Sequence, residues 1–142
     1  MKVLLAVDGS KSSLKAVDCL IDHADWYREK PVVELVTVHL PIPKVPNLGK
    51  VVSKAQIERF YREEGEANLV AAKRKLKAAR VPYQASVLVG QVAETIAKRA
   101  KDARCDLIYA GTRGMSELGK FFLGSTATKL LRIADRPVLL VK

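Results

Sequence analysis

Two groups of residues in this chain have the types and spacing to do chemistry. The first is the run Gly111-Thr112-Arg113-Gly114-Met115-Ser116-Glu117-Leu118-Gly119-Lys120-Phe121-Phe122-Leu123-Gly124-Ser125-Thr126, with four of the chain's eight glycines in positions 111–124. An apolar run precedes it and an amphipathic stretch opens at Ser125-Thr126. Strand, glycine-rich loop and helix start together expose backbone N–H groups at the positive end of a helix dipole, a setting that suits phosphate. Glycines serve there because a side chain blocks close backbone approach, and because some loop positions are expected at positive φ. A glycine-rich turn with Ser125 as an ordinary helix cap is the plainer alternative. The second group is Asp8-Gly9-Ser10, at the end of the first apolar run. Asp8 could accept hydrogen bonds from a ribose hydroxyl or a base, or it could serve only the turn into the next helix.

Several better-known chemistries fail on the same residues. Gly114-x4-Gly119-Lys120 begins like a phosphate-binding P-loop, but Phe121 stands where a hydroxyl should ligate Mg²⁺. No G-x-G-x-x-G occurs, which disfavours NAD and FAD. Gly114-Met115-Ser116 starts like a nucleophile elbow without its second glycine, and no histidine is placed to serve Ser116. His23 and His39 have no ligand partners at metal-binding spacing, so no metal site is expected. Cys19 and Cys105 are far apart within apolar patterns and read as core thiols. No general base is evident beside the expected phosphates, so the residues describe a binder, with slow phosphate-ester hydrolysis as the most enzymatic alternative.

The elements that must position these groups follow from periodicity. Val3–Val7, Val32–Val38, Tyr83–Val89, Leu107–Ala110 and Val138–Val141 are short, β-branched apolar runs that read as strands. Between them, apolar residues step by three or four: Leu14, Val17, Ile21 and Ala24; Ile57 to Ala79; Val92, Ile96, Ala100 and Ala103; Ala127, Leu130, Leu131 and Ala134. Strict alternation of strand and helix implies right-handed crossovers and a doubly wound parallel α/β sheet covered on both faces. Ligands of such sheets sit beyond the carboxyl ends of the strands where the winding reverses, and Asp8 and Gly111 both occupy such ends. The third run alternates most and suits an edge. Leu40–Lys50, with three prolines, is a loop.

The 142 residues are expected to form one domain, 1–142. No apolar run is long enough to span a bilayer and the N-terminus lacks a signal-peptide core, so a cytoplasmic address is expected. Net charge is +10, and residues 1–42 hold five Lys/Arg against six Asp/Glu, leaving +11 in residues 43–142. Much of that excess falls at helical spacing, in Lys73–Arg80 and Lys98–Arg104. A solvated helix face explains it most simply, and attraction of a polyanion is the functional alternative. A basic nucleic-acid-binding module is disfavoured because the aromatic-and-basic strand pattern is missing.

Gly111-x2-Gly114-x9-Gly124-Ser125 resembles the G-x2-G-x9-G-(S/T) signature of the ATP-binding universal stress proteins. The similarity extends over nearly the whole chain, from Ala6-Val7-Asp8-Gly9-Ser10 through Thr37-Val38 and Val89-Gly90 to Arg136-Pro137-Val138-Leu139-Leu140-Val141. It implies a five-stranded Rossmann-like sheet of order 3-2-1-4-5. It further implies ATP, with or without Mg²⁺, as ligand of a nucleotide-dependent regulatory or sensor module in the stress response. By the same resemblance Asp8 would contact the adenosine and the Val38 backbone would meet adenine, with Ala6 and Val7 counted among the nucleotide-binding residues. Gly111, Gly114, Gly124, Ser125 and Thr126 would hold ribose and phosphates; Arg113, inside the same loop, is either a counter-charge for phosphate or an exposed arginine with no ligand. The last strand is apolar on both faces and would join two copies as a homodimer.

Overall fold

The computed structural model describes residues 1–43, 52–113 and 123–142. Among these residues five strands and four α-helices alternate: β1 (Lys2–Ala6), α1 (Lys11–Asp22), β2 (Val32–His39), α2 (Lys54–Ala78), β3 (Tyr83–Val89), α3 (Val92–Asp102), β4 (Leu107–Gly111), α4 (Ser125–Ile133) and β5 (Val138–Val141). A short 3₁₀ turn, Ala24–Trp26, follows α1, which therefore ends before the expected Ala24. Strand limits differ from the periodicity reading by single residues: β1 is shifted back by one, and β2 and β4 each run one further.

Local sequence explains where helices begin. Ser10 Oγ accepts the Ser13 N–H and caps α1, and Ser53 and Gln56 form a reciprocal capping box at α2. The strands form one all-parallel sheet of order β3-β2-β1-β4-β5. Side chains of β1 alternate between two packing layers. Val3, Leu5 and Val7 meet α1 and α2 through Val17, Leu20, Leu69 and Leu76, whereas Leu4 faces α3 and α4 with Val36, Ile96, Ile108 and Leu130. Each such Leu is worth ~2–5 kcal/mol against truncation to Ala. Cys105 is fully buried, Cys19 is half-buried, and both are free thiols.

One charge lies inside this apolar frame. Glu34, mid-way along β2, is 0% exposed. Its Oε1 accepts from Arg99 Nε at 2.9 Å and Nη2 at 2.5 Å, and Lys2 Nζ lies 3.0 Å from Oε2. Burial pushes the carboxyl up, but the bonds from Arg99 and Lys2 outweigh it and hold the group below the ordinary range. Glu34 thus ties β1, β2 and α3 together near the ends where strands begin. The opposite ends carry the expected ligand residues, because β1 lies between β2 and β4 and the winding reverses there.

Candidate functional site

Beyond the carboxyl ends of β1, β2 and β4 lies a crevice of about 570 Å³, within the usual range for small-molecule sites. Ala6, Val7, Asp8, Val38, Gly111, Arg113, Gly124, Ser125 and Thr126 all line it, so one concavity gathers segments from positions 6–8 to 124–126. Gly114, the tenth residue expected there, lies outside the described residues, as do Lys44–Lys50 of the proline loop.

The two sides of the crevice differ in how their polar groups are engaged. On the β1–α1 side the groups largely satisfy one another. Asp8 Oδ1 accepts the Ser10 N–H at 3.0 Å, and Ser13 Oγ accepts the Asp8 N–H at 3.3 Å while donating to Ser10 O at 2.9 Å. Asp8 therefore does close its own turn, and its Oδ2 carries no hydrogen bond among the described residues. Gly9 takes φ +81°, so glycine is favoured there by conformation, and a Cβ would displace only the amide end of Asn68, 2.9 Å away at Oδ1.

On the β4–α4 side the signature residues divide by role. Gly111 ends β4 so close to α1 that a Cβ would stand 2.8 Å from the backbone carbon and oxygen of Ser12. It is a packing glycine. The N–H groups of Thr112, Arg113 and Gly124 are spent on Val141 O, Ser12 Oγ and Thr112 O. Gly124 is the N-cap of α4, at φ −61° and ψ 151°, and offers no side-chain cap. The first helix bond runs from Thr128 to Gly124 O, which leaves the N–H groups of Ser125, Thr126 and Ala127 without acceptors among the described residues. The expectation that loop glycines hold positive φ is thus not met at Gly111 or Gly124. The available donors belong to the first turn of α4, where the helix dipole favours an anion. Arg113 is half-buried beside this turn and its guanidinium has no carboxylate partner among the described residues. Lys129 of α4 pairs with Glu94 in the first turn of α3, which neutralises that cation at the rim.

Two polar wall residues, Glu64 and Asn68 of α2, were not singled out in the sequence, and His39 of β2, named there only to set aside a metal site, lines the crevice with them. The signal for the α2 pair lay in the helix register, since each immediately precedes a residue of the buried stripe Gly65-Leu69-Ala72-Leu76. The remaining wall is apolar, with Val36, Val92, Ile96 and Leu130, and suits a flat ring. Among the described residues no group of His, Cys, Asp and Glu could hold a metal ion, and no helix is long and apolar enough to cross a membrane.

A family model described as the universal stress protein family matches residues 1–142. A universal stress protein of Thermus aquaticus is 32% identical over 145 residues, with 99% of this chain and 97% of the relative covered. Among solved structures, the universal stress protein MJ0577 of Methanocaldococcus jannaschii superposes with a TM-score of 0.80 at 25% identity, covering 99% of this chain and 94% of that one. A universal stress protein solved in complex with cAMP matches with a TM-score of 0.62 at 26% identity, covering 99% and 95% of the two chains.

Proposed function

The chain belongs to the universal stress protein family, and from that premise we propose that it binds ATP in the β1–β4 crevice as a nucleotide-dependent regulatory module. The observation that carries the reading is the uncapped first turn of α4, opening onto the same concavity as the free Oδ2 of Asp8. In this reading the N–H groups of Ser125, Thr126 and Ala127 hold phosphate oxygens, and Arg113 adds a counter-charge. Asp8 accepts a ribose hydroxyl. The Val38 backbone meets the adenine edge, with the ring against the apolar wall, while Ala6 and Val7 form the floor. Gly111 shapes the site through its packing on Ser12, and Gly124 lets the phosphates approach. The donor set serves ATP with or without Mg²⁺, since it supplies hydrogen bonds rather than metal ligands.

A ligand confined to the native state stabilises it by about 2.7 kcal/mol at a hundredfold excess over its Kd. Millimolar ATP is therefore expected to raise Tm by several degrees and to give a heat of binding in calorimetry. Neither signal appearing would overturn the reading.

We further propose that the protein works in the cytoplasm, in the stress response, as a homodimer joined along Val138–Val141. β5 is the edge strand and all four of its residues are half-exposed, with exposed Leu131 and Ile133 on the adjoining α4. Pro137 O and Val141 O point to β4, so by alternation the N–H of Leu140 points to the open edge. Light scattering should report twice 15.6 kDa. Leu140→Pro removes an outward donor without touching the β4 ladder and should halve that mass.

A further inference from the structure

The long helix α2 handles charge in two different ways along its length. From Lys54 to Glu66 it is laced with opposite charges, including the i,i+4 pairs Lys54–Glu58 and Arg59–Glu63. From Ala67 to Arg80 the chain has five Lys/Arg and no Asp/Glu. Glu66 takes Lys73 and Asp18 of α1 takes Lys75. Arg74 and Lys77 on α2 and Arg80 two residues beyond its end remain, all exposed and without a carboxylate within pairing distance among the described residues. On α1, packed alongside, Lys11 and Lys15 are also exposed and unpaired among the described residues, with Asp22 the opposing charge at its last turn. A helix dipole rewards cations only in the last turn, which leaves Arg74 unexplained.

Arg80 has a second feature, which it shares with Arg104 at the end of α3. The Val81 N–H bonds to Leu76 O and the Arg80 N–H to Lys77 O, with Arg80 at φ 53°. This is the left-handed helix end that glycine occupies most cheaply. A side chain there carries a conformational cost, and the Arg80 guanidinium makes no hydrogen bond or ion pair among the described residues that would offset it.

We propose that the C-terminal end of α2, through Arg74 and Lys77 on its outer face and Arg80 in the turn that follows, is a docking surface for the phosphate backbone of nucleic acid, without base selectivity. Three exposed cations within seven residues suit a row of phosphates. Recognition of a backbone needs no stacking aromatics, so their scarcity in the chain does not count against it. The surface lies on α2, apart from the α4 end of the crevice, and the proposal does not rest on the nucleotide reading.

The test is fluorescence anisotropy of a labelled 20-base-pair duplex of arbitrary sequence, titrated with the full chain at several salt concentrations. Each phosphate neutralised contributes a slope of about −0.9 in log K against log salt, so three contacts give about −2.7, or a loss of about fortyfold from 50 to 200 mM. Arg74→Gln, Lys77→Gln and Arg80→Gly combined should flatten the slope by that amount. Arg132→Gln, which removes an exposed cation of α4, should leave it unchanged. Arg80→Gly alone should flatten the slope by about one contact and at the same time raise Tm, a combination that a purely structural arginine would not give. The proposal is overturned by an unchanged slope in the triple variant or by an equal effect of Arg132→Gln. Displacement of the duplex by saturating ATP, which would place it in the crevice, overturns it as well. So does binding of phosphatidylserine vesicles in the absence of duplex binding.

Discussion

The two rims of the sheet use polar groups in opposite ways. Where strands begin, Glu34 is buried under Arg99 and Lys2, the Lys2 N–H is held by Asp106 at 2.8 Å, and α2 and α3 end in matched turns closed by Val81 and Cys105. Where strands end, among the described residues the first turn of α4 offers three uncapped N–H groups, Asp8 keeps one oxygen free, and His39 contributes a ring nitrogen without a partner. A buried polar group left unmatched costs stability, so an open rim is tolerated only where water or a ligand completes it. The leading rim is therefore expected to govern stability and the trailing rim ligand affinity, and substitutions at each should move one quantity without the other.

The largest effect is expected at Glu34. Glu34→Gln leaves Lys2 and Arg99 facing a neutral, buried amide, and loss of one member of a buried pair costs about 3–5 kcal/mol. Thermal denaturation should show a fall in Tm on the order of 10 °C, whereas ATP affinity measured well below Tm should match the parent protein. The carboxyl titrates below its ordinary range in the native state. Its contribution is therefore present above the unfolded value, about 4.3, and is lost as pH falls further. Stability of the parent should fall below that pH more steeply than stability of Glu34→Gln. Parallel pH profiles for the two proteins would remove Glu34 from the account.

Gly111 tests whether position alone decides the role. It belongs to the open rim and to the nucleotide signature, yet its absent Cβ is what lets β4 meet Ser12. Gly111→Ala forces that backbone apart at a cost of about 1–3 kcal/mol, so Tm should drop even without ligand. An undisturbed Tm with weakened ATP binding would return Gly111 to the ligand and sharpen the division between the rims.

The contrast also explains what could be read from sequence. Strand and helix alternation was legible because β1, β2 and β4 are buried on both faces, which forces nearly continuous apolar runs such as Val3-Leu4-Leu5-Ala6-Val7. Strand order came from resemblance, since pairing partners leave no local trace. Glu34 gave no warning of its role: a lone carboxylate in Val32–His39 acquires meaning only through Lys2 and Arg99, which the fold alone brings to it. At the crevice the residue types were legible but the allocation of donors was not. The glycine run suggested free loop N–H groups, and the fold spends those of Thr112, Arg113 and Gly124 internally. Glu64 and Asn68 escaped notice because a helix face is assigned by its apolar stripe, and polar residues bordering that stripe look like any solvated pair.

Gly124 should behave as a trailing-rim residue in the simple sense. Its φ of −61° and ψ of 151° are accessible to any residue, so a substitution is not strained at the backbone. Gly124→Val places a branched side chain where phosphate would approach the first turn of α4. ATP affinity by calorimetry should fall at least tenfold, about 1.4 kcal/mol, with the far-ultraviolet circular dichroism of the parent retained. Full affinity in the folded variant would move the phosphates away from this helix.

The smallest and most informative change is at Asp8, where the two rims' strategies meet in one side chain. Oδ1 closes the turn through the Ser10 N–H, and Oδ2 is the atom assigned to the ribose. Asp8→Ala removes both functions, whereas Asp8→Asn can keep the turn by presenting its carbonyl to Ser10 and its amide to the ligand. An acceptor lost from a ligand hydroxyl costs on the order of 1 kcal/mol, so Asp8→Ala should weaken ATP and AMP about fivefold, with a small loss of Tm from the turn. Asp8→Asn should restore Tm but not affinity, because its amide offers a donor to the ligand instead of an acceptor. Pyrophosphate, which carries no ribose, should bind all three proteins alike. If Asn recovers nucleotide affinity together with Tm, Asp8 belongs to the turn alone, and the open side of the crevice narrows to the first turn of α4. If pyrophosphate weakens in step with ATP, Asp8 acts on the phosphates or through the fold, and the assignment of ribose to its free oxygen fails.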